Sequence, residues 1–377
     1  MPLKWPAIAR SSFYEIVQAD FVRHRHMMRK RPMGQTSGWS FMFCMVVSYL
    51  HATDLAPGHI ETVNGPVPVA ELGLVLEHEH VLVDFVGAKK VGAHRYVADE
   101  VFAAVLPHLQ RAAGLGVRTL FECTPEFLGR DPVLLRRLSE ASGVRVVTNT
   151  GLYGAANDKF LPPYAFTDTA EQLAGRWIAE FRDGIAHTGI KPGFIKCGVD
   201  GVSPLSEVDR KLVAAAALTH RATGLTIAVH TGAGPGLAEI ELLRTLGVAA
   251  EAFVWVHAQI ATDDALIAAA AAGAWLSFDG VQPSALPRHL ELCRLFRERG
   301  QLGQILLSHD AGWFDPAKPG GGKFRSYESL FIDFLPLLLK NGFTLQDIEQ
   351  ILVHNPARAF AIRKKLVASA QAQPRGR

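Results

Sequence analysis

The sequence predicts an α/β protein built as a (β/α)₈ TIM barrel with C-terminal capping helices, on three observations. Eight short apolar runs lie between residues 73 and 308, separated by longer amphipathic stretches. The runs are continuously apolar rather than alternating, as strands buried on both faces of a parallel sheet must be. Histidine, lysine or aspartate stands at or just past the end of five of them, and in such barrels the carboxyl ends of the strands gather the functional groups on one face.

The strands are expected at Gly73 to Leu76, Arg118 to Glu122, Val144 to Asn149, Gly193 to Cys197, Leu225 to Val229, Ala252 to Val256, Ala274 to Phe278 and Gln304 to Ser308. Helical periodicity fills the gaps at Ala98 to Leu115, Asp131 to Ser142, Thr169 to Thr188, Ser206 to Thr223, Gly236 to Leu246, Asp263 to Ala272 and Leu286 to Arg299. Many of these stretches end near glycine, as helices do. Two further helices, Ser326 to Lys340 and Thr344 to Ala361, complete and cap the barrel, and the small, polar tail after Lys364 is expected to fray.

Composition bounds the function. The 377 residues are 49% hydrophobic and 20% charged, enough for one large core. The net charge of +3, against 39 basic and 36 acidic residues, points to neither nucleic acid nor an anionic membrane as partner. Cys44, Cys123, Cys197 and Cys293 lack paired spacing, so they imply neither a disulfide framework nor a cysteine zinc site. Cys197 adjoins Lys196 and so lies beside the candidate chemistry.

Residues 1–57 form an N-terminal extension, residues 58–364 the barrel and residues 365–377 a flexible tail. In the extension, Arg23, Arg25, Arg29, Lys30 and Arg31 precede an apolar run from Phe41 to Leu50, the order of a signal peptide. The run is too short to span a bilayer. Two readings stay open: export, or a true start at Met27, Met28, Met33 or Met45. The second is favoured and makes the protein cytoplasmic.

The site begins at His78-Glu79-His80, which ends the first strand and turns two imidazoles to one side, where one metal ion can hold both. Lys196 ends strand four, His230 strand five and His257 strand six, while Asp310 follows strand eight. Four imidazoles, a carboxylate and a lysine then surround one cavity, a metal-binding constellation.

The chain is similar to the phosphotriesterase family of the amidohydrolase superfamily. The residues that carry the resemblance are Glu77-His78-Glu79-His80, Gly129-Arg130-Asp131, Thr150-Gly151-Leu152-Tyr153, Ile195-Lys196, Val229-His230-Thr231, Val256-His257, Leu307-Ser308-His309-Asp310 and Asn355-Pro356-Ala357-Arg358. It spans about residues 58 to 362. It implies two divalent ions, zinc first and cobalt, manganese or iron as alternatives. His78, His80 and Asp310 would hold the more buried ion, and His230 and His257 the more exposed one.

An ammonium has no lone pair for a metal, so Lys196 is not an ordinary ligand. The resemblance implies a carbamate on Lys196 that bridges the ions. Two ions sharing a solvent generate hydroxide near neutral pH and polarise the P=O or C=O under attack. Asp310 would take the proton and pass it outward, with His257 assisting; the alternative is that Asp310 only ligates.

Other polar residues have structural readings. Glu79 points away from its flanking histidines and makes a structural hydrogen bond; Glu122 and Asp131 order loops; His309 packs behind Asp310. Thr262 caps a helix that Asp263 and Asp264 favour electrostatically. Tyr153 sits where related lactonases present a substrate-facing tyrosine. Those relatives carry an arginine just after the seventh strand, where this chain has Ser277-Phe278-Asp279-Gly280. The segment Ala311 to Tyr327 is expected to be a mobile lid, with Trp313 and Phe314 offering apolar contacts to substrate.

The sequence therefore predicts a binuclear metal-dependent hydrolase for a small ester or lactone, with phosphotriester hydrolysis as a promiscuous activity. An amidase for N-acyl amino compounds and a non-catalytic metal-binding barrel are the alternatives. The resemblance suggests a homodimer.

Overall fold

A computed structural model describes residues 58–367. The expectations for residues 1–57, and for the tail beyond 367, lie outside the described residues. The described chain opens with an antiparallel hairpin, β1 (His59–Thr62) and β2 (Gly65–Pro68), which the sequence reading did not anticipate.

The barrel strands follow in the expected order: β3 (Leu74–Glu79), β4 (Val117–Glu122), β5 (Arg145–Val147) with β6 (Asn149–Thr150), β7 (Phe194–Gly198), β8 (Thr226–His230), β9 (Phe253–Val256), β10 (Trp275–Phe278) and β11 (Ile305–Leu307). Every ladder among them is parallel, in two sheets ordered β3-β4-β5 and β6-β7-β8-β9-β10-β11. Thr148 alone separates β5 from β6, so the two occupy one strand position and eight positions result. β11 and β3 share no ladder. At their carboxyl ends, Asp310 N donates to His78 O at 3.0 Å and His80 N to Ala311 O at 2.9 Å.

Among the described residues, seven longer helices cross between strands: α1 (Ala98–Gly114), α2 (Pro132–Ser142), α3 (Ala170–Asp183), α4 (Glu207–Thr223), α5 (Gly236–Thr245), α6 (Asp263–Ala271) and α7 (Leu286–Glu298). Their starts follow local chemistry. Asp131, Thr169, Ser206 and Thr262 each accept a backbone N–H of the first turn, satisfying donors a helix cannot pair internally.

The strands are buried on both sides, as their continuous hydrophobicity requires. Leu76, Leu120, Val146, Ile195 and Ile227 pack in the cluster shared with the helices, whereas Val75, Phe121, Val147, Phe194, Val254 and Leu306 belong to a second cluster. Phe360 joins the second, its ring 4.3 Å from Phe121 and 5.8 Å from Phe194. Each such side chain contributes roughly 1.5–3 kcal/mol on burial.

The capping helices differ from the expected continuous pair. A π-helical turn, Leu330–Phe334, precedes α8 (Leu335–Lys340), and another, Gln350–His354, separates α9 (Leu345–Glu349) from α10 (Asn355–Phe360). Pro336 and Pro356 lie just after these turns and lack the N–H a regular turn would use. The expected fraying after Lys364 also fails for the first residues of the tail. Lys365 N donates to His220 Nε2, its Nζ bonds Thr226 Oγ1 and Ala359 O, and Leu366 bridges Val248, because these groups offer the strap buried partners. Among the described residues no helix is long and apolar enough to cross a membrane.

Candidate metal centre

The chain reaches the site through an irregular first strand. Leu76 faces Leu120 while Glu79 faces Glu122, so three steps of β3 oppose two of β4. A bulge of this kind re-aims side chains. It places Glu77 against Ser277 of β10, while the rings of His78 and His80 meet with centroids 5.4 Å apart.

Three imidazoles are fixed by what their Nδ1 atoms touch. His78 Nδ1 lies 2.9 Å from Asp279 Oδ2, and His257 Nδ1 lies 2.6 Å from Asp279 Oδ1. His80 Nδ1 lies 2.8 Å from Thr124 Oγ1, whose own proton is directed to Glu122 Oε1 at 2.5 Å. In each case Nδ1 donates, leaving Nε2 bare for a metal. His230 stacks against His257 at 4.4 Å and Tyr153 at 5.1 Å.

Asp310 completes the group. Its Oδ1 is 3.2 Å from His80 Nε2 and 3.8 Å from His78 Nε2, and these three residues present ligand atoms within 4.8 Å of one another. His78, His257 and Asp279 also converge, but through the Nδ1 hydrogen bonds. Asp279 is therefore assigned to orienting the rings rather than to holding an ion. Asp310 (φ 49°) and His257 (φ 61°) both adopt left-handed backbone, a strain of about 1–3 kcal/mol each that the surrounding packing sustains.

Two glycines make room for these close approaches. A Cβ on Gly312 would lie 1.8 Å from His80 O, and one on Gly151 would lie 2.1 Å from Lys196 O.

Electrostatics keep His78 and His230 neutral. Burial, aided by the Lys196 charge, lowers His78 to about 4. Burial, with His257 and Lys196 beside it, lowers His230 to about 2. For His257 burial works downward, but the Asp279 carboxylate outweighs it and raises the ring. Burial works upward on Asp310; the His80 hydrogen bond and the nearby imidazoles prevail and hold it low. Imidazoles with free lone pairs beside an ionised carboxylate suit a divalent cation.

Lys196 supplies the sharpest test of fit. It is 2% exposed in β7 yet forms no hydrogen bond or ion pair among the described residues. It is therefore not a salt-bridged core lysine. Its side chain instead lines the same cavity as His78, His80, His230, His257 and Asp310. A buried amine with no anion to pair is the donor set a carbamate would complete.

The cavity has a volume of about 280 Å³, and Val83, Phe85, Leu128, Phe160 and Trp313 supply apolar wall. Tyr153 and Trp313 line it as expected. Phe314 does not. It is 6% exposed in the hydrophobic core, and backbone bonds with Val81 and Val83 turn it into the protein. The segment expected to be a mobile lid is pinned by those bonds, by the pairing of Gly312 with Arg325, and by Arg325 Nη1 donating to Asp310 O at 2.8 Å.

Glu79 receives Ser308, both N–H groups of His309 and the N–H of Ala311, the structural role expected of it. His309 Nε2 accepts from Leu330 N, so this ring is committed to packing. Sequence reasoning missed Asp279, Ser277 and Thr124 as site residues. Asp279 carried a usable signal: it follows the seventh barrel strand directly, the position that singled out the other site residues.

The phosphotriesterase family profile matches residues 58–360. The chain belongs to the phosphotriesterase family. A phosphotriesterase homology protein of Mycobacterium tuberculosis is 31% identical over 326 residues, covering 80% of this chain and 97% of that protein. An aryldialkylphosphatase of Saccharolobus solfataricus is 28% identical over 305 residues, covering 77% and 96%. An N-acetyltaurine hydrolase of Dictyostelium discoideum is 27% identical over 267 residues, covering 66% and 70%. Phosphotriesterase-family members are hydrolases with a binuclear metal centre, and this chain offers candidate histidine and aspartate ligands for one.

Proposed function

We propose that the protein is a binuclear metal-dependent hydrolase acting on small esters or lactones, with phosphotriester hydrolysis as a side activity. The observation that carries this reading is the unpaired, buried Lys196 among four imidazoles and Asp310. His78, His80 and Asp310 would hold one ion, His230 and His257 the other, and carbamylated Lys196 would link them; zinc is the favoured metal, with cobalt, manganese or iron as alternatives.

Held there, two divalent ions would supply an activated water near neutral pH and positive charge for the substrate oxygen under attack. Asp310, kept ionised beside His80, accepts a proton at its carboxylate and releases it toward the leaving group. Asp279 keeps the His78 and His257 rings in place throughout. Tyr153 and Trp313 bound the substrate, and the apolar wall favours a neutral, partly apolar molecule.

Lys159 gives one specific reason for a second reading. It lines the cavity with its ammonium 5.2 Å from the Phe160 ring, where it could meet an anionic group of an N-acyl amino compound. That substrate class is akin to the one named for the Dictyostelium relative.

Metal analysis combined with assays on p-nitrophenyl esters, lactones, paraoxon and N-acyl amino acids tests both readings. About two metal equivalents with ester or lactone turnover are expected. Preference for the anionic amides would shift the assignment to the second reading, and metal without any turnover would leave a binding barrel. A homodimer is part of the proposal and is measured by light scattering.

A further inference from the structure

Beneath the imidazoles lies a carboxyl group with no role in the chemistry described so far. Glu77 is 2% exposed, and its Oε1 lies 2.5 Å from Ser277 Oγ. The same hydroxyl lies 3.1 Å from Asp279 Oδ2. Ser277 and Asp279 are both fully buried. Asp279 also receives His78 Nδ1, the N–H and Nδ1 of His257, and Gln259 Nε2.

We infer that Glu77 is a positioning residue of the centre, acting through Ser277 on the Asp279 carboxylate that orients His78 and His257. The inference rests on the proposed metal-dependent reading. A carboxylate that must point one oxygen at each of two rings has a single correct plane. A small rotation toward either ring lengthens the bond to the other. Ser277 opposes such rotation together with the His257 N–H and Gln259 Nε2, and Glu77 fixes Ser277 because β3 and β10 bring them together across 200 residues. Two side chains thus stand between Glu77 and the imidazoles; the Ser277 hydroxyl has one proton, so it donates to Asp279 and accepts from the group at position 77, and each link is then a buried hydrogen bond that water does not replace. The link needs a donor of this size at position 77 rather than a carboxyl in particular, since an amide N–H can also donate to the hydroxyl.

The test compares Glu77→Gln, Glu77→Leu and Ser277→Ala as full chains. Metal-binding titration of the stripped proteins is the first readout and steady-state kinetics the second. Glu77→Leu should bind zinc about 10-fold more weakly and lose a similar factor in kcat, while Glu77→Gln stays within about threefold of wild type. In the Ser277→Ala background, Glu77→Leu should add less than about twofold, because the two act along one path. Wild-type affinity in Glu77→Leu, equal damage from glutamine and leucine, or full additivity with Ser277→Ala would overturn the inference. If Glu77→Leu does not fold, Ser277→Ala severs the same link and decides alone: weakened zinc binding supports the role, unchanged binding ends it. A wild-type protein lacking metal and turnover would instead defeat the underlying hydrolase reading, independently of the variants.

Discussion

Asp279 Oδ1 lies 2.6 Å from His257 Nδ1, while the other oxygen of the same carboxylate lies 2.9 Å from His78 Nδ1. One buried anion therefore sets the rotation and tautomer of two imidazoles assigned to different ions. It is held ionised, well below the usual carboxylate range: burial opposes this, and the two histidines outweigh burial.

Replacing Asp279 with asparagine should weaken metal binding and kcat/KM by roughly 10- to 100-fold, since an amide nitrogen turned toward either ring would face an N–H rather than accept from it. Metal titration and kinetics at fixed pH measure this. A variant with wild-type affinity would contradict the orienting role.

Asp310→Asn should lower kcat by roughly 10²- to 10⁴-fold, the range for removing a positioned base. If Asp310 serves as a ligand alone, saturating metal will restore turnover in the variant, so kcat is measured across a metal series.

Lys196→Ala should lose activity, and added short-chain carboxylate with bicarbonate should partly restore it. The truncated side chain leaves space in the cavity where the proposed bridging anion would sit. Unchanged activity in Lys196→Ala would rule out the bridge.

Glu239 provides a pH signature outside the candidate metal cavity. Burial raises its carboxyl from 4.5 to about 8, partly offset by the Thr231 hydrogen bond and reinforced by Asp209. Between these values the unfolded chain has released the proton while the native chain keeps it, so rising pH favours unfolding. Wild type should thus lose stability relative to Glu239→Gln as pH rises from 4.5 toward 8. Urea midpoints for the two proteins across that window should diverge; parallel curves would show that Glu239 is not the source.

The sequence by itself determined the eight strand positions, the order of the helices and the five strand ends that carry His78, His80, Lys196, His230, His257 and Asp310. Those features follow from local periodicity, from caps such as Thr262, and from the rule that parallel barrels present their strand ends together. Tertiary structure decided the rest. The bulge in β3 depends on the register with β4, the inward turn of Phe314 depends on bonds to Val81 and Val83, and Asp279 meets His78 across 201 residues of chain. Hydrophobic patterning records which face of a segment is buried, but not which distant partner satisfies a buried polar atom. That choice is made only when the strands close upon one another.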